Sequence, residues 1–251
     1  MTKKYSSISF YKNNNIGKLS KHMFGTNLEH IGDAIYRNGI WAEVIKNRKF
    51  CGPDKLVWNN GLEHDHLDFG IIQPWNGFNA SAKHVMYAHS NSEYITKGEE
   101  LISRYGSGKQ SQQITIREKS LISRGIQQKI FLVDSKDEFD FSIITKGESQ
   151  KIYIAIGEVK FSFFTKKNWY TFRKKIKFKK HNSNKKISIS IKSGNIYIAN
   201  CSLMPKNTIF GFRKDITEMI KEWIPSYIRW PGGNFLSGYN WQNGIGSKDY
   251  R

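Results

Sequence analysis

Across residues 55–202 the sequence alternates apolar and polar residues in short runs, each broken by Gly, Asn or Ser. Alternation at period two sends successive side chains to opposite faces of a strand, and such strands bury their apolar faces only when sheets stack. The stretch is therefore expected to form an all-β sandwich. Its candidate strands include residues 84–88, 126–133, 140–145, 151–156, 169–178, 186–191 and 196–199. The chain has 251 residues, enough for one large domain or two smaller ones. A 38% hydrophobic and 14% aromatic content excludes a disordered chain.

The period changes after the sandwich. Ile216, Met219, Ile220 and Trp223 recur at i, i+3, i+4, i+7, which predicts an amphipathic helix over residues 213–223 that stops near Pro225. A β-rich run, Tyr227-Ile228-Arg229-Trp230, then breaks at Pro231-Gly232-Gly233. Pro lacks a donor and glycines accept angles that other residues resist, so the strand ends there. Asn234, Phe235, Ser237, Tyr239, Asn240 and Trp241 follow. A strand delivering an amide, a hydroxyl and rings to one place looks like the carboxyl end of a barrel strand, and the plainer alternative is a buried strand followed by an ordinary turn. Upstream, residues 23–28 read as a small-residue strand with Glu29 at its end, residues 7–11 are strand-like, and residues 34–50 are partly helical in period.

The formal net charge is +19, and residues 159–192 hold twelve basic residues and no acid. Three readings of that excess stand side by side: a solvated face or protected sheet edge, a surface for an acidic polysaccharide, and a nucleic-acid surface. No recognition helix or RNA-binding aromatic signature accompanies it, so no nucleic-acid partner is expected. No run approaches the roughly 18 apolar residues of a membrane span, and no apolar segment follows Met1-Thr2-Lys3-Lys4-Tyr5 to make a secretory signal. Cys51 and Cys201 make no disulfide framework and are expected as free thiols in a cytoplasmic protein. His64-Asp65-His66 reads as a turn, so no metal or other cofactor is expected.

Two motifs give a more specific reading. The run R-W-P-G-G-N-F-L-S-G-Y-N-W at residues 229–241, followed by Gly244-Ile245-Gly246, resembles the second-strand motif of family 51 glycoside hydrolases, the α-L-arabinofuranosidases. Phe24-Gly25-Thr26-Asn27-Leu28-Glu29-His30-Ile31-Gly32, continuing through Ile35-Tyr36 to Gly39-Ile40-Trp41-Ala42-Glu43, resembles the first-strand motif of the same family. Asn243, Ser247 and Arg37-Asn38 depart from the family pattern beside these motifs. The intervening strands resemble a jelly-roll carbohydrate-binding module.

The resemblance implies an α+β protein, mostly β: the first two strands and first helix of an incomplete (β/α)8 barrel, interrupted by a jelly-roll insert. The expected divisions are residues 1–52, 53–202 and 203–251. The implied activity is retaining hydrolysis of terminal α-L-arabinofuranosyl groups from arabinan or arabinoxylan, which needs two carboxyls ~5 Å apart. The family carries those glutamates on its fourth and seventh barrel strands, so none of this chain's residues is expected to be catalytic. Substrate binding is expected of Glu29 as a charged acceptor and of Asn234 as donor and acceptor. Arg229 is expected to support the nucleophile site, and Tyr239 and Trp241 to offer ring faces or pack in the core. The implied partner is an arabinose-containing oligo- or polysaccharide, with no membrane, and homo-oligomerisation is left open. A non-catalytic protein that binds carbohydrate through the insert is the alternative.

Overall fold

Isoleucines spaced two apart build the centre of the molecule. In the strand Lys151–Ile156, Ile152, Ile154 and Ile156 are buried and Lys151 is exposed. Ile187, Ile189 and Ile191 repeat this pattern in Asn184–Ile191, as do Ile196 and Ile198 in Gly194–Pro205. A branched side chain packs well on a pleated surface, so each strand offers one apolar face to a facing sheet.

The computed structural model describes residues 8–9, 17–31, 34–35, 39–50, 70–81, 83–91, 110–119, 121–239, 241 and 245. Its strands are β1 (Thr26–Asn27), β2 (Asn76–Phe78), β3 (Val85–Asn91), β4 (Gln110–Ile116), β5 (Arg124–Phe131), β6 (Glu138–Lys146) and β7 (Lys151–Ile156). They continue with β8 (Val159–Phe164), β9 (Tyr170–Lys177), β10 (Asn184–Ile191), β11 (Gly194–Pro205), β12 (Thr208–Ile209), β13 (Phe212–Arg213) and β14 (Ile228–Arg229). Among the described residues, the α-helix α1 (Lys214–Trp223) precedes β14.

Two five-stranded antiparallel sheets stack, in the orders β2-β5-β10-β7-β8 and β3-β4-β11-β6-β9. The architecture is mostly β, a jelly-roll-like sandwich, as the alternation requires. Phe139, Phe141, Ile143, Ile114, Ile126 and Leu203 fill the space between the sheets. Along the edge formed by β8 and β9, Phe163 stacks on Phe172 at 4.2 Å with planes 5° apart. Such a pair contributes about 0.5–1.5 kcal/mol beyond its buried area, so it ties the two edge strands together.

At one end the sandwich is closed by inward-facing amides. Gln112 is fully buried; its Nε2 donates to the carbonyls of Gly70 (3.0 Å) and Ala88 (3.1 Å), and its Oε1 accepts from Ile72 N–H (2.9 Å). Gln128 grips both backbone groups of Lys46 at 3.0 and 3.1 Å. These bonds serve irregular segments whose buried backbone groups have no ladder of their own.

Residues 41–50 differ from the helical reading of their spacing and form an irregular segment along β11. Glu43 accepts from Ser202 Oγ (2.5 Å), Leu203 N–H (2.8 Å) and Ile45 N–H (3.1 Å). Val44 N–H donates to Leu203 O, and Cys201 N–H to Arg48 O. Tertiary bonds replace helical ones here, and Ile45 and Phe50 join the core. Cys201 is a buried thiol, pushed well up by that burial, while Cys51 lies outside the described residues. The strand-like reading of residues 7–11 also falls largely outside them, and Ile8 and Ser9 have no regular structure.

Beyond the sandwich, β1 and β14 pair in parallel, Thr26 opposite Ile228 and Asn27 opposite Arg229. Parallel strands need a crossover connection, and α1 lies on it. Helix α1 ends at Ile224, which takes a left-handed conformation (φ 49°) directly before Pro225. None of its residues is buried, and Met219 and Trp223 are 67% and 69% exposed. Among the described residues no helix is long and apolar enough to cross a membrane.

Candidate functional site

The parallel ladder brings the two motifs together. Thr26 N–H donates to Tyr227 O (3.0 Å), Leu28 N–H to Arg229 O (2.9 Å) and His30 N–H to Pro231 O (2.7 Å). Glu29 therefore stands beside the Pro231-Gly232-Gly233 break. The Trp230–Pro231 peptide is cis, and both glycines have positive φ, 67° and 52°. A Cβ at Gly232 would overlap the Asn27 side chain, and one at Gly233 would overlap the Glu29 carboxylate. Glycine is required here twice, for its backbone angle and for the close approach.

Asn234 follows Gly233 directly and opens the short 3-10 turn Asn234–Gly238. Glu29 is half-buried and Asn234 exposed, so a carboxylate and an amide flank one pair of glycines at the strand ends. The amide can donate and accept, while the carboxylate only accepts. Arg229 lies in β14 and is exposed, and Trp241 is 64% exposed.

A stack of rings supports this corner. His30 lies over Phe235 at 4.4 Å, with Tyr239 at 6.3 Å and Trp230 edge-on at 5.8 Å. Tyr239 also meets Phe235 at 5.1 Å and Trp230 at 5.3 Å, which places it in packing. Burial among these rings lowers the His30 pKa, favouring the neutral imidazole. The sequence alone does not disclose the roles of His30 and Phe235 in this stack, although both lie inside the two motifs. The histidine's position directly after Glu29 was the available signal.

Among the described residues no three His, Cys, Asp or Glu side chains are grouped to hold a metal ion. His64-Asp65-His66, Arg37-Asn38, Asn243 and Ser247 lie outside the described residues. A separate cavity of 360 Å³ lies between the sandwich and α1, lined by Trp41, Glu43, Phe131, Asp137 and Arg213 among others. Its carboxylates are engaged: Glu43 as above, Asp137 with the N–H groups of Glu138 and Asn207, and Asp215 with Arg213. The cavity therefore belongs to the packing of that junction.

Sequence comparison finds short stretches similar to arabinofuranosidases. A 41-residue stretch is 56% identical to an exo-α-(1→6)-L-arabinofuranosidase from Bifidobacterium longum, covering 16% of this chain and 8% of that enzyme. Over these stretches the chain is arabinofuranosidase-like. The intracellular exo-α-(1→5)-L-arabinofuranosidase 1 of Bacillus subtilis matches at 58% identity over 41 residues, again 16% of this chain and 8% of the relative. A probable α-L-arabinofuranosidase C from Aspergillus terreus matches at 45% over 58 residues, 23% of this chain and 11% of the relative. The matched stretches thus span small parts of the arabinofuranosidases. No protein-family model matches the chain. Among solved structures, the CBM22-1 xylan-binding domain from Paenibacillus barcinonensis Xyn10C aligns with a TM-score of 0.37 and 10% identity, covering 56% of this chain and 90% of that one. TmCBM61, solved with β-1,4-galactotriose, aligns with a TM-score of 0.36 and 17% identity, covering 58% and 97%. Likeness at that level carries no weight for ligand or activity.

Proposed function

We propose that the ends of β1 and β14 form the sugar-holding part of a retaining α-L-arabinofuranosidase, an enzyme releasing terminal α-L-arabinofuranosyl groups from arabinan- or arabinoxylan-type glycans. The observation carrying this reading is the Glu29 carboxylate seated against Gly233, one residue from Asn234, in a chain that has short arabinofuranosidase-like stretches. Glu29 accepts furanose hydroxyls, Asn234 donates and accepts beside it, and Arg229 supports the ionised nucleophile of the complete site. Trp241 supplies an exposed ring face, and Tyr239 steadies the stack beneath. β1, α1 and β14 are read as the opening elements of a (β/α)8 barrel, whose active sites lie at the carboxyl ends of the strands. The family resemblance assigns the acid/base and nucleophile glutamates to the fourth and seventh barrel strands, so β1 and β14 contribute binding to the reaction and that pair contributes the chemistry. A cytoplasmic location fits a buried free thiol at Cys201 and relatives named as intracellular enzymes.

Saturation-transfer NMR with methyl α-L-arabinofuranoside tests the reading. Transfer to the sugar that is lost in Glu29→Gln and Asn234→Ala supports it. Absence of transfer, or transfer unchanged in both variants, refutes it. A chromogenic arabinofuranoside is expected to stay intact, and turnover by the chain alone refutes the division of labour. The second reading, glycan binding by the sandwich without catalysis, is favoured by the surface described next.

A further inference from the structure

One sheet of the sandwich is free of carboxylates: β2, β5, β10, β7 and β8 contain no Asp or Glu. The facing sheet carries Glu138 and Asp140 in β6, and Glu138 pairs with Lys177 at 3.4 Å and Lys206 at 3.0 Å. The basic excess is therefore partly neutralised by β6 on one face, while on the other the strands themselves offer no acid and Glu158, in the turn between β7 and β8, is taken up by Lys185 at 3.0 Å.

The exposed half of the acid-free face lies on β7 and the edge strand β8. Because Ile152, Ile154 and Ile156 point inward, Lys151 and Tyr153 point outward. Pairing sets Lys151 opposite Phe164 and Tyr153 between Ser162 on one side and Ser190 on the other. An outward ring flanked by hydroxyl residues gains little from apolar neighbours. Phe164 is 59% exposed on an edge strand, where a bare ring invites aggregation. Cations approach these rings: Lys151 Nζ lies 5.6 Å from the Tyr153 centroid and 5.8 Å from that of Phe164, and Lys192 Nζ lies 5.6 Å from Tyr153. Lys160 is exposed on the same strand as Ser162.

We propose that Lys151, Tyr153, Lys160, Ser162, Phe164 and Lys192 form a binding face for an anionic glycan, a chain of uronic acid residues. Ring faces receive the C–H faces of the pyranoses, the hydroxyls bond to theirs, and ammonium groups take the carboxylates as point charges. The choice of a sugar over other polyanions rests on the arabinofuranosidase reading of the chain in which the sandwich is set.

The test is calorimetric titration of the full 251-residue chain with an oligogalacturonate, a neutral arabino-oligosaccharide and a single-stranded oligonucleotide of matched charge. The oligogalacturonate is expected to bind more tightly than the other two. Phe164→Ser, on an exposed edge with thermal unfolding as the folding control, is expected to weaken it about tenfold. Combined Lys151→Gln and Lys192→Gln should cost about tenfold at low salt, and much less at about 0.5 M, where screening is strong. Lys175→Gln removes a charge from the other sheet and should leave affinity within about twofold. Absence of binding overturns the proposal, as does equal loss in Lys175→Gln or equal affinity for the oligonucleotide. Glu29→Gln separates the two sites: it should leave oligogalacturonate binding unchanged, so failure at the furanose pocket does not pass for failure here.

Discussion

The carboxylate of Glu29 occupies the space that a Cβ on Gly233 would fill. One residue thereby dictates the other: any side chain at Gly233 displaces the acid, and the positive φ there adds strain. Gly233→Ala is expected to destabilise by about 1–2 kcal/mol and to abolish arabinofuranoside binding. Thermal unfolding and saturation-transfer NMR read the two effects, and retained binding would show that the carboxylate's position is immaterial.

His30 gives the site a pH dependence. Burial lowers its pKa below the ordinary 6.5, so the unfolded chain takes up the proton first as pH falls. The stabilisation it confers is complete above pH 6.5 and is lost as pH falls through the lowered folded value. Trp230 packs edge-on to this ring, so tryptophan fluorescence should report the transition, and His30→Phe should remove that part of it.

Glu158, paired with Lys185, provides a second titration, in the sandwich. Burial alone would raise Glu158, but the Lys180 N–H and the Lys185 ammonium at 3.0 Å outweigh it and hold the carboxyl at about 2. Its stabilisation is present above the ordinary value of 4.5 and is lost as pH falls through about 2. Glu158→Gln leaves the buried Lys185 ammonium with the Lys180 carbonyl as acceptor and should cost about 2 kcal/mol in urea unfolding near neutral pH.

Removing one ring at the sandwich edge should loosen it. Phe172→Ala deletes the stack on Phe163 and the contact with Phe161 at 5.8 Å. An expected loss of about 2 kcal/mol, with faster hydrogen exchange confined to β8 and β9, distinguishes a local closure from a general core defect.

The outer face of α1 should tolerate polar substitution. Trp223→Ser is expected to change stability by less than about 0.5 kcal/mol, because the side chain is largely solvated. A larger loss that grows on dilution would show that a second copy covers this face.

The sequence makes these elements legible to different degrees, and the differences have physical causes. Strand β7 reads directly because its alternation is uninterrupted. β4 is hidden in the sequence, because its inward positions include Gln112, whose partners lie in a distant irregular segment. Residues 41–50 look partly helical because Ile40, Trp41, Val44 and Ile45 fall at helical spacing, yet Glu43 and Val44 bond across to β11. The helix over residues 213–223 was legible from its apolar stripe, since α1 spans Lys214–Trp223. At the site, the glycine pair and the carboxylate stand out in the sequence. The ring stack on His30 exists only once β1 meets β14, a pairing that local spacing cannot display.

The clasp of Glu43 on Ser202 and Leu203 also bears on the order of folding. Taken along the backbone, β1 and β14 lie at the ends of a very long loop, and two-residue strands yield too few bonds to offset the entropy of closing it. Once the sandwich has formed, the chain enters at Arg48 and leaves at Cys201 side by side, so the loop left to close is a small fraction of its apparent length. The stacked sheets thus act as a staple that brings two remote motifs within reach, and the corner where β1 meets β14 is expected to assemble last.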